Sequence, residues 1–159
     1  MAGQTGAAGD MSAAFPCEDP PMSADAPELS YIAYETFLED MEAVAQRLLE
    51  GGWRPDFLVG IGRGGLVPAA FLSHRLDIAM LSVDISSGEP GFAGELIEKL
   101  AAKIKGGERL LIVDDINDSG TTIASLRGAL EAQGADDARL RVAVLIDNVS
   151  SRAKAEYWS

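Results

Sequence analysis

A chain of 159 residues, 47% hydrophobic and 24% charged, has the composition of one soluble globular domain with a real core. A net charge of −12 excludes a basic nucleic-acid surface, and the absence of a long apolar run excludes a membrane-spanning helix. The single cysteine, Cys17, excludes an internal disulfide framework and fits a reducing cytosol. Residues 1–28 lack Lys and Arg, so neither a secretory signal nor a transit peptide is expected there, and a cytoplasmic location is.

Residues 1–29 are rich in Ala, Gly, Pro, Ser and Asp and poor in large apolar side chains. Such a stretch cannot offset the entropy of ordering, so a disordered tail is expected, followed by one domain over 30–159. The first helix is predicted from Tyr34 to Glu50, where Phe37, Leu38, Met41, Val44, Ala45, Leu48 and Leu49 recur at helical spacing and Gly51-Gly52 ends the run. Phe57–Ile61 reads as a strand, Val67–Leu76 as a helix with Pro68 in its first turn, and Ala79–Asp84 as a strand. Ser86–Gly94, with two Ser, three Gly and a Pro, reads as a loop. Helix Leu96–Lys105, strand Arg109–Asp114, helix Thr121–Gln133 and strand Leu140–Ile146 complete the order. Strands alternating with helices predict an α/β fold, a mostly parallel sheet flanked by helices.

Two loops carry chemistry. Gly60-Ile61-Gly62-Arg63-Gly64-Gly65 matches G-x-G-x-x-G between a strand and a helix, and Asp84 lies near the spacing of a ribose-binding acid. Read alone, this stretch fits a dinucleotide site, a tight turn that needs glycine for backbone reasons, or an anion loop in which backbone N–H groups and Arg63 hold pyrophosphate. The second loop decides among them. Leu110–Val113 is a buried strand, Asp114 and Asp115 follow it, and Asp118-Ser119-Gly120-Thr121-Thr122 opens the next helix. Acids at the carboxyl end of a parallel strand beside a helix N-terminus suit a sugar phosphate, with carboxylates for ribose hydroxyls or a metal and free N–H groups for a phosphate. A dinucleotide fingerprint leaves this second constellation unexplained, and the P-loop pattern G-x-x-x-x-G-K-[ST] is absent.

The stretch Val113-Asp114-Asp115-Ile116-Asn117-Asp118-Ser119-Gly120-Thr121-Thr122 matches, at every position, the signature of the type I phosphoribosyltransferases, and the chain resembles that family from Tyr31 to Ile146. Arg63-Gly64-Gly65-Leu66-Val67-Pro68-Ala69 resembles the pyrophosphate loop of its bacterial xanthine-guanine and hypoxanthine members. The resemblance implies that Asp114 and Asp115 face the ribose hydroxyls of phosphoribosyl pyrophosphate, directly or through Mg²⁺-bound water. It implies that Ser119, Gly120, Thr121 and Thr122 cradle the 5′-phosphate, and that Arg63 and Gly64 bind pyrophosphate. Asp118 would stand near N7 of a purine as general base or electrostatic partner. Ser86, Ser87 and Gly88 would belong to a flexible loop that closes over the site. A homodimer or higher homo-oligomer follows from the same resemblance, as does purine salvage, with no nucleic-acid or membrane partner.

Three positions depart from the family pattern. Asp147 and Asn148 stand where purine-using members usually place a lysine, and Gly88 where a tyrosine commonly follows the second loop serine. The chain reaches Tyr157-Trp158-Ser159 soon after its last strand, so a C-terminal hood is expected to be short, built on Trp158, or absent. These departures keep a second reading open beside the transferase: a non-catalytic module that binds phosphoribosyl pyrophosphate or a nucleotide. A nicotinamide-dependent enzyme rests on G-x-G-x-x-G alone.

Overall fold

The computed structural model describes residues 31–84 and 90–159. The expected tail and the loop residues Ser86, Ser87 and Gly88 lie outside the described residues. The elements run α1 (Tyr34–Glu50), β1 (Phe57–Ile61), α2 (Leu66–Leu76), β2 (Met80–Val83), α3 (Pro90–Lys105), β3 (Leu110–Asn117), α4 (Thr121–Ala132) and β4 (Leu140–Asp147). The four strands form one parallel sheet in the order β2-β1-β3-β4. No described helix is long and apolar enough to cross a membrane.

Alternation along the strands sorts the core into two layers. Phe57, Val59 and Ile61 of β1, Leu110 and Ile112 of β3, and Val142 and Val144 of β4 pack with Leu100 and Ile104 of α3 and Ile123, Leu126 and Leu130 of α4. Leu58, Leu111, Val113, Ala143 and Leu145 point to the other face, where they meet Met41, Val44 and Leu48 of α1 and Leu72 and Leu76 of α2. Both faces being covered, β1 and the first half of β3 need apolar residues at successive positions, which is why they read as unbroken aliphatic runs. Each such side chain contributes about 1.5–3 kcal/mol by leaving water.

Two boundaries differ from the sequence reading by more than a residue, and the C-terminus takes its own course. The strand expected to end at Asp114 continues to Asn117, because β4 pairs with it as far as Asn117↔Asp147. Its pairing with β1 stops at Gly60↔Val113. The two acids therefore lie within β3, at the point where its other neighbour turns away. Helix α3 begins at Pro90, inside the stretch read as loop up to Gly94; proline is tolerated at a first helical position, where its missing N–H has no partner to lose. Finally, the C-terminal residues do not form a hood. They run beside β4, with an isolated parallel bridge between Ala143 and Tyr157, and Tyr157 is buried in the core. Trp158 lies against the Arg47 guanidinium of α1.

Candidate active site at the carboxyl ends of the strands

Where β1 and β3 diverge, a crevice of about 520 Å³ opens, lined by Arg63 and Gly64 from the β1–α2 loop, Asp114 and Asp115 from β3, and Thr121 and Thr122 from α4. A smaller hollow of about 100 Å³ adjoins it, formed by the backbone and side chains of Asp118 to Ile123. The structure thus brings both sequence-predicted loops to one place. Ser86, Ser87 and Gly88 are outside the described residues, and Trp158 lines neither space.

Close backbone approach joins the two loops. A Cβ on Gly64 would come within 2.5 Å of Asp115 Oδ1, so only glycine lets the carboxylate lie against the first loop. Asp115 Oδ1 also accepts from the Ile116 backbone N–H at 2.8 Å, and Asp114 Oδ1 accepts from that of Asp115 at 3.0 Å. Partial burial, reinforced by the neighbouring Asp115 charge, pushes the Asp114 carboxyl up to about 7. No salt bridge among the described residues neutralises Asp114, which leaves its carboxyl open to a cation or a hydroxyl donor. The described residues contain no cluster of three or more His, Cys, Asp or Glu able to cage a metal. Two adjacent carboxylates fit Mg²⁺ of the kind bound chiefly by water and ligand phosphates.

At the start of α4 the Thr121 N–H donates to Ser119 Oγ at 3.3 Å, and no side chain among the described residues caps the N–H groups of Thr122 and Ile123. Asp118 does not cap the helix; the N-cap is Gly120, in the left-handed conformation at φ 75° and without a side-chain bond. A Cβ there would meet both Ala153 N and Ser151 Oγ at 2.5 Å, so glycine is required twice over. Ser119 Oγ and Thr121 Oγ1 share a hydrogen bond of 2.8 Å beside the first turn. Asp118 is exposed, and its Oδ1 accepts from Asn148 Nδ2 at 2.9 Å. Asn148 is itself oriented by Ser150, whose backbone N–H and hydroxyl both donate to Asn148 Oδ1.

The sequence reading assigns no role to Asn117. Asn117 is buried, and its Nδ2 donates to Asp147 Oδ1 and to Ala153 O, each at 2.6 Å, while Ser151 Oγ donates to Asn117 Oδ1. The available signal was an amide on the buried face of a strand that continues past the acids. Through it, the segment after β4 is fastened to the loop that opens α4. Lys103 pairs with Glu108 at 2.7 Å, and His74 borders a groove between α1 and α2, so neither lines the crevice.

A family model described as the phosphoribosyl transferase domain matches residues 31–159. The chain belongs to that family. It is 36% identical over 106 residues to a xanthine-guanine phosphoribosyltransferase of Cereibacter sphaeroides, covering 61% of this chain and 62% of that protein. It is 34% identical to the corresponding protein of Nitratidesulfovibrio vulgaris, over 62% of this chain and 61% of the relative. The chain thus matches about three fifths of the length of these curated relatives. Among solved structures, a Helicobacter pylori xanthine-guanine-hypoxanthine phosphoribosyltransferase superposes with a TM-score of 0.61 at 25% identity, covering 79% of this chain and 82% of that one. A purine phosphoribosyltransferase from Pyrococcus horikoshii shares the fold, with a TM-score of 0.63 at 24% identity over 82% of this chain and 85% of its own.

Proposed function

We propose that this protein transfers the 5-phosphoribosyl group from phosphoribosyl pyrophosphate to a purine base, with xanthine, guanine or hypoxanthine as acceptor, and releases pyrophosphate. The observation that carries this reading is the convergence of Arg63, Gly64, Asp114, Asp115, Thr121 and Thr122 on one crevice at the carboxyl ends of β1 and β3. The names of the similar proteins support the same substrate class.

In this reading the 5′-phosphate occupies the hollow at Asp118–Ile123, where unpaired helical N–H groups and the dipole of α4 favour an anion. Asp114 and Asp115 face the ribose hydroxyls, and with ligand oxygens they would hold Mg²⁺, which supplies charge neutralisation for pyrophosphate. Arg63 and the Gly64 backbone hold the pyrophosphate group. The bond from C1 of the ribose to pyrophosphate breaks, its electron pair leaving with the pyrophosphate oxygen. The base nitrogen donates a lone pair to C1 from the opposite face and loses its proton. Asp118, carried on the exposed lip of the site and held on one side by Asn148, is the base or the electrostatic partner for that proton. A cytoplasmic location and a homodimer or higher homo-oligomer belong to the same proposal.

A second reading, a non-catalytic module for phosphoribosyl pyrophosphate or a nucleotide, is favoured by one observation. Trp158, the aromatic residue available for stacking on a base, lies against Arg47 and outside the crevice. Pyrophosphate release separates the two. Incubation with Mg²⁺, phosphoribosyl pyrophosphate and each of xanthine, guanine and hypoxanthine is expected to release pyrophosphate with one base or more. Binding without release for every base overturns the transferase and leaves the module.

A further inference from the structure

We propose that Arg152 is a phosphate-binding residue of this site: a cation, delivered by the segment after β4, that selects ligands carrying the 5′-phosphate. The inference rests on the reading of the Asp118–Ile123 hollow as the 5′-phosphate site, and it adds a side chain that neither the motif nor the glycine loop contains.

The geometry begins with Thr121, which lines both the main crevice and the smaller hollow. Arg152 Nη2 donates to Thr121 Oγ1 at 2.6 Å, so the guanidinium stands at the rim of the hollow, directly on one of its hydroxyls. One of its five N–H donors is used in this contact, and the planar fork leaves others for bidentate recognition of phosphate oxygens. The side chain is exposed, and none of the ion pairs among the described residues involves it. Five of the 13 basic residues, Arg75, Lys103, Arg109, Arg127 and Arg139, pair with carboxylates, whereas the Arg152 side chain bonds the Thr121 hydroxyl in the first turn of α4.

Its position is fixed by the backbone beneath it, unlike that of an ordinary surface arginine. Arg152 lies between two anchored residues. Ser151 is buried and donates to Asn117 Oδ1 at 3.0 Å, and Ala153 O accepts from Asn117 Nδ2 at 2.6 Å. The Arg152 N–H itself reaches Ser119 O at 3.4 Å, and Gly120 packs against Ser151 and Ala153 with no room for a Cβ. Lys154 Nζ closes the segment on Val149 O at 2.7 Å. The buried Asn117 amide thereby couples the phosphate loop to the arginine: both are held by one side chain, so the cation is organised before any ligand arrives.

The test is calorimetric titration of the full chain with ribose 5-phosphate, and separately with Mg²⁺–pyrophosphate, for wild type, Arg152→Ala and Arg152→Gln. Thermal unfolding checks that each variant folds. Arg152→Ala and Arg152→Gln are each expected to weaken ribose 5-phosphate by about 10-fold or more, the loss of a charge-assisted bond, and to leave pyrophosphate within about twofold. Glutamine retains a donor for Thr121 without the charge, so recovery of wild-type affinity in Arg152→Gln would make the arginine a holder of Thr121 and overturn the proposal. Equal weakening of both ligands, or of neither, also overturns it. Failure of the wild-type chain to bind ribose 5-phosphate overturns the reading of the hollow itself, a result distinct from wild-type binding that survives both substitutions.

Discussion

The two ends of the central strands hold the same residue types and treat them in opposite ways. At the amino ends of β1 and β3, Asp56 accepts from the Arg109 backbone N–H at 2.7 Å and from its guanidinium at 3.3 Å, and these bonds lower its carboxyl below the ordinary range. At the carboxyl ends, Asp114 is partly buried beside another acid, and burial first and that charge second push its carboxyl up to about 7. The first aspartate is satisfied by its own fold and contributes stability. The second accepts one backbone N–H bond but has no cation beside it, and the cost of its charge is removed by a proton or by a bound cation. The difference locates function: a charge that the chain itself neutralises holds strands together, and one that it leaves raised is kept for a ligand.

The comparison is sharpened most strongly at the reactive end. Asp118→Asn is expected to lower kcat by about 10²–10⁴-fold, the usual range for loss of a general acid–base group, while the unfolding midpoint stays near wild type because the side chain is exposed. Steady-state kinetics alongside a thermal melt checks this, and unchanged turnover would remove Asp118 from the chemistry. Next in size is Gly120→Ala, which meets a positive φ and two contacts at 2.5 Å. It should cost about 1–3 kcal/mol in chemical denaturation and weaken phosphate ligands at the same time.

The electrostatic contrast itself gives two smaller effects of opposite sign. Because the folded pKa of Asp114 lies above its ordinary 3.8, the unfolded chain loses its proton first, and folding loses stability as pH rises from about 4 towards 7. Asp114→Asn removes that penalty. Its unfolding midpoint should exceed the wild-type value above pH 7, and the gap should close near pH 4. Asp56 behaves in reverse: its lowered pKa contributes stability at neutral pH that is lost as the solution is acidified through the lowered value. Asp56→Asn should therefore destabilise at pH 7 by less than about 1 kcal/mol, as expected for a largely exposed pair, with the difference fading in acid. Melting curves of both variants across pH 3–8 would break the comparison if the two differences shared a sign.

Much of this architecture is legible in the residues. The aliphatic runs Phe57–Ile61 and Leu110–Val113 announce strands covered on both faces, and the spacing from Phe37 to Leu49 gives α1 its full extent. The site motif is legible because its parts are contiguous: acids, small hydroxyl residues and a glycine follow one another from β3 into α4. What escaped the sequence reading depends on contacts between distant segments. The extension of β3 beyond Asp114 is set by pairing with β4, thirty residues later. Asn117 drew no attention because its partners are distant in sequence: Asp147 ends β4, and Ser151 and Ala153 follow it in a stretch with little regular structure to predict. Arg152 was invisible for the same reason. The hood was expected to be short, built on Trp158, or absent, and the parallel bridge at Tyr157 carries the end of the chain along the sheet.

The central claim is that the acids left without a cation at the carboxyl ends of the strands bind the sugar of phosphoribosyl pyrophosphate. Its most direct test is calorimetric titration of Mg²⁺–phosphoribosyl pyrophosphate into the wild-type chain and into the double variant Asp114→Asn, Asp115→Asn. The account predicts saturable binding to the wild type, one site per chain, weakened by at least about tenfold in the double variant. No binding to the wild type, or equal affinity in the double variant, would contradict it.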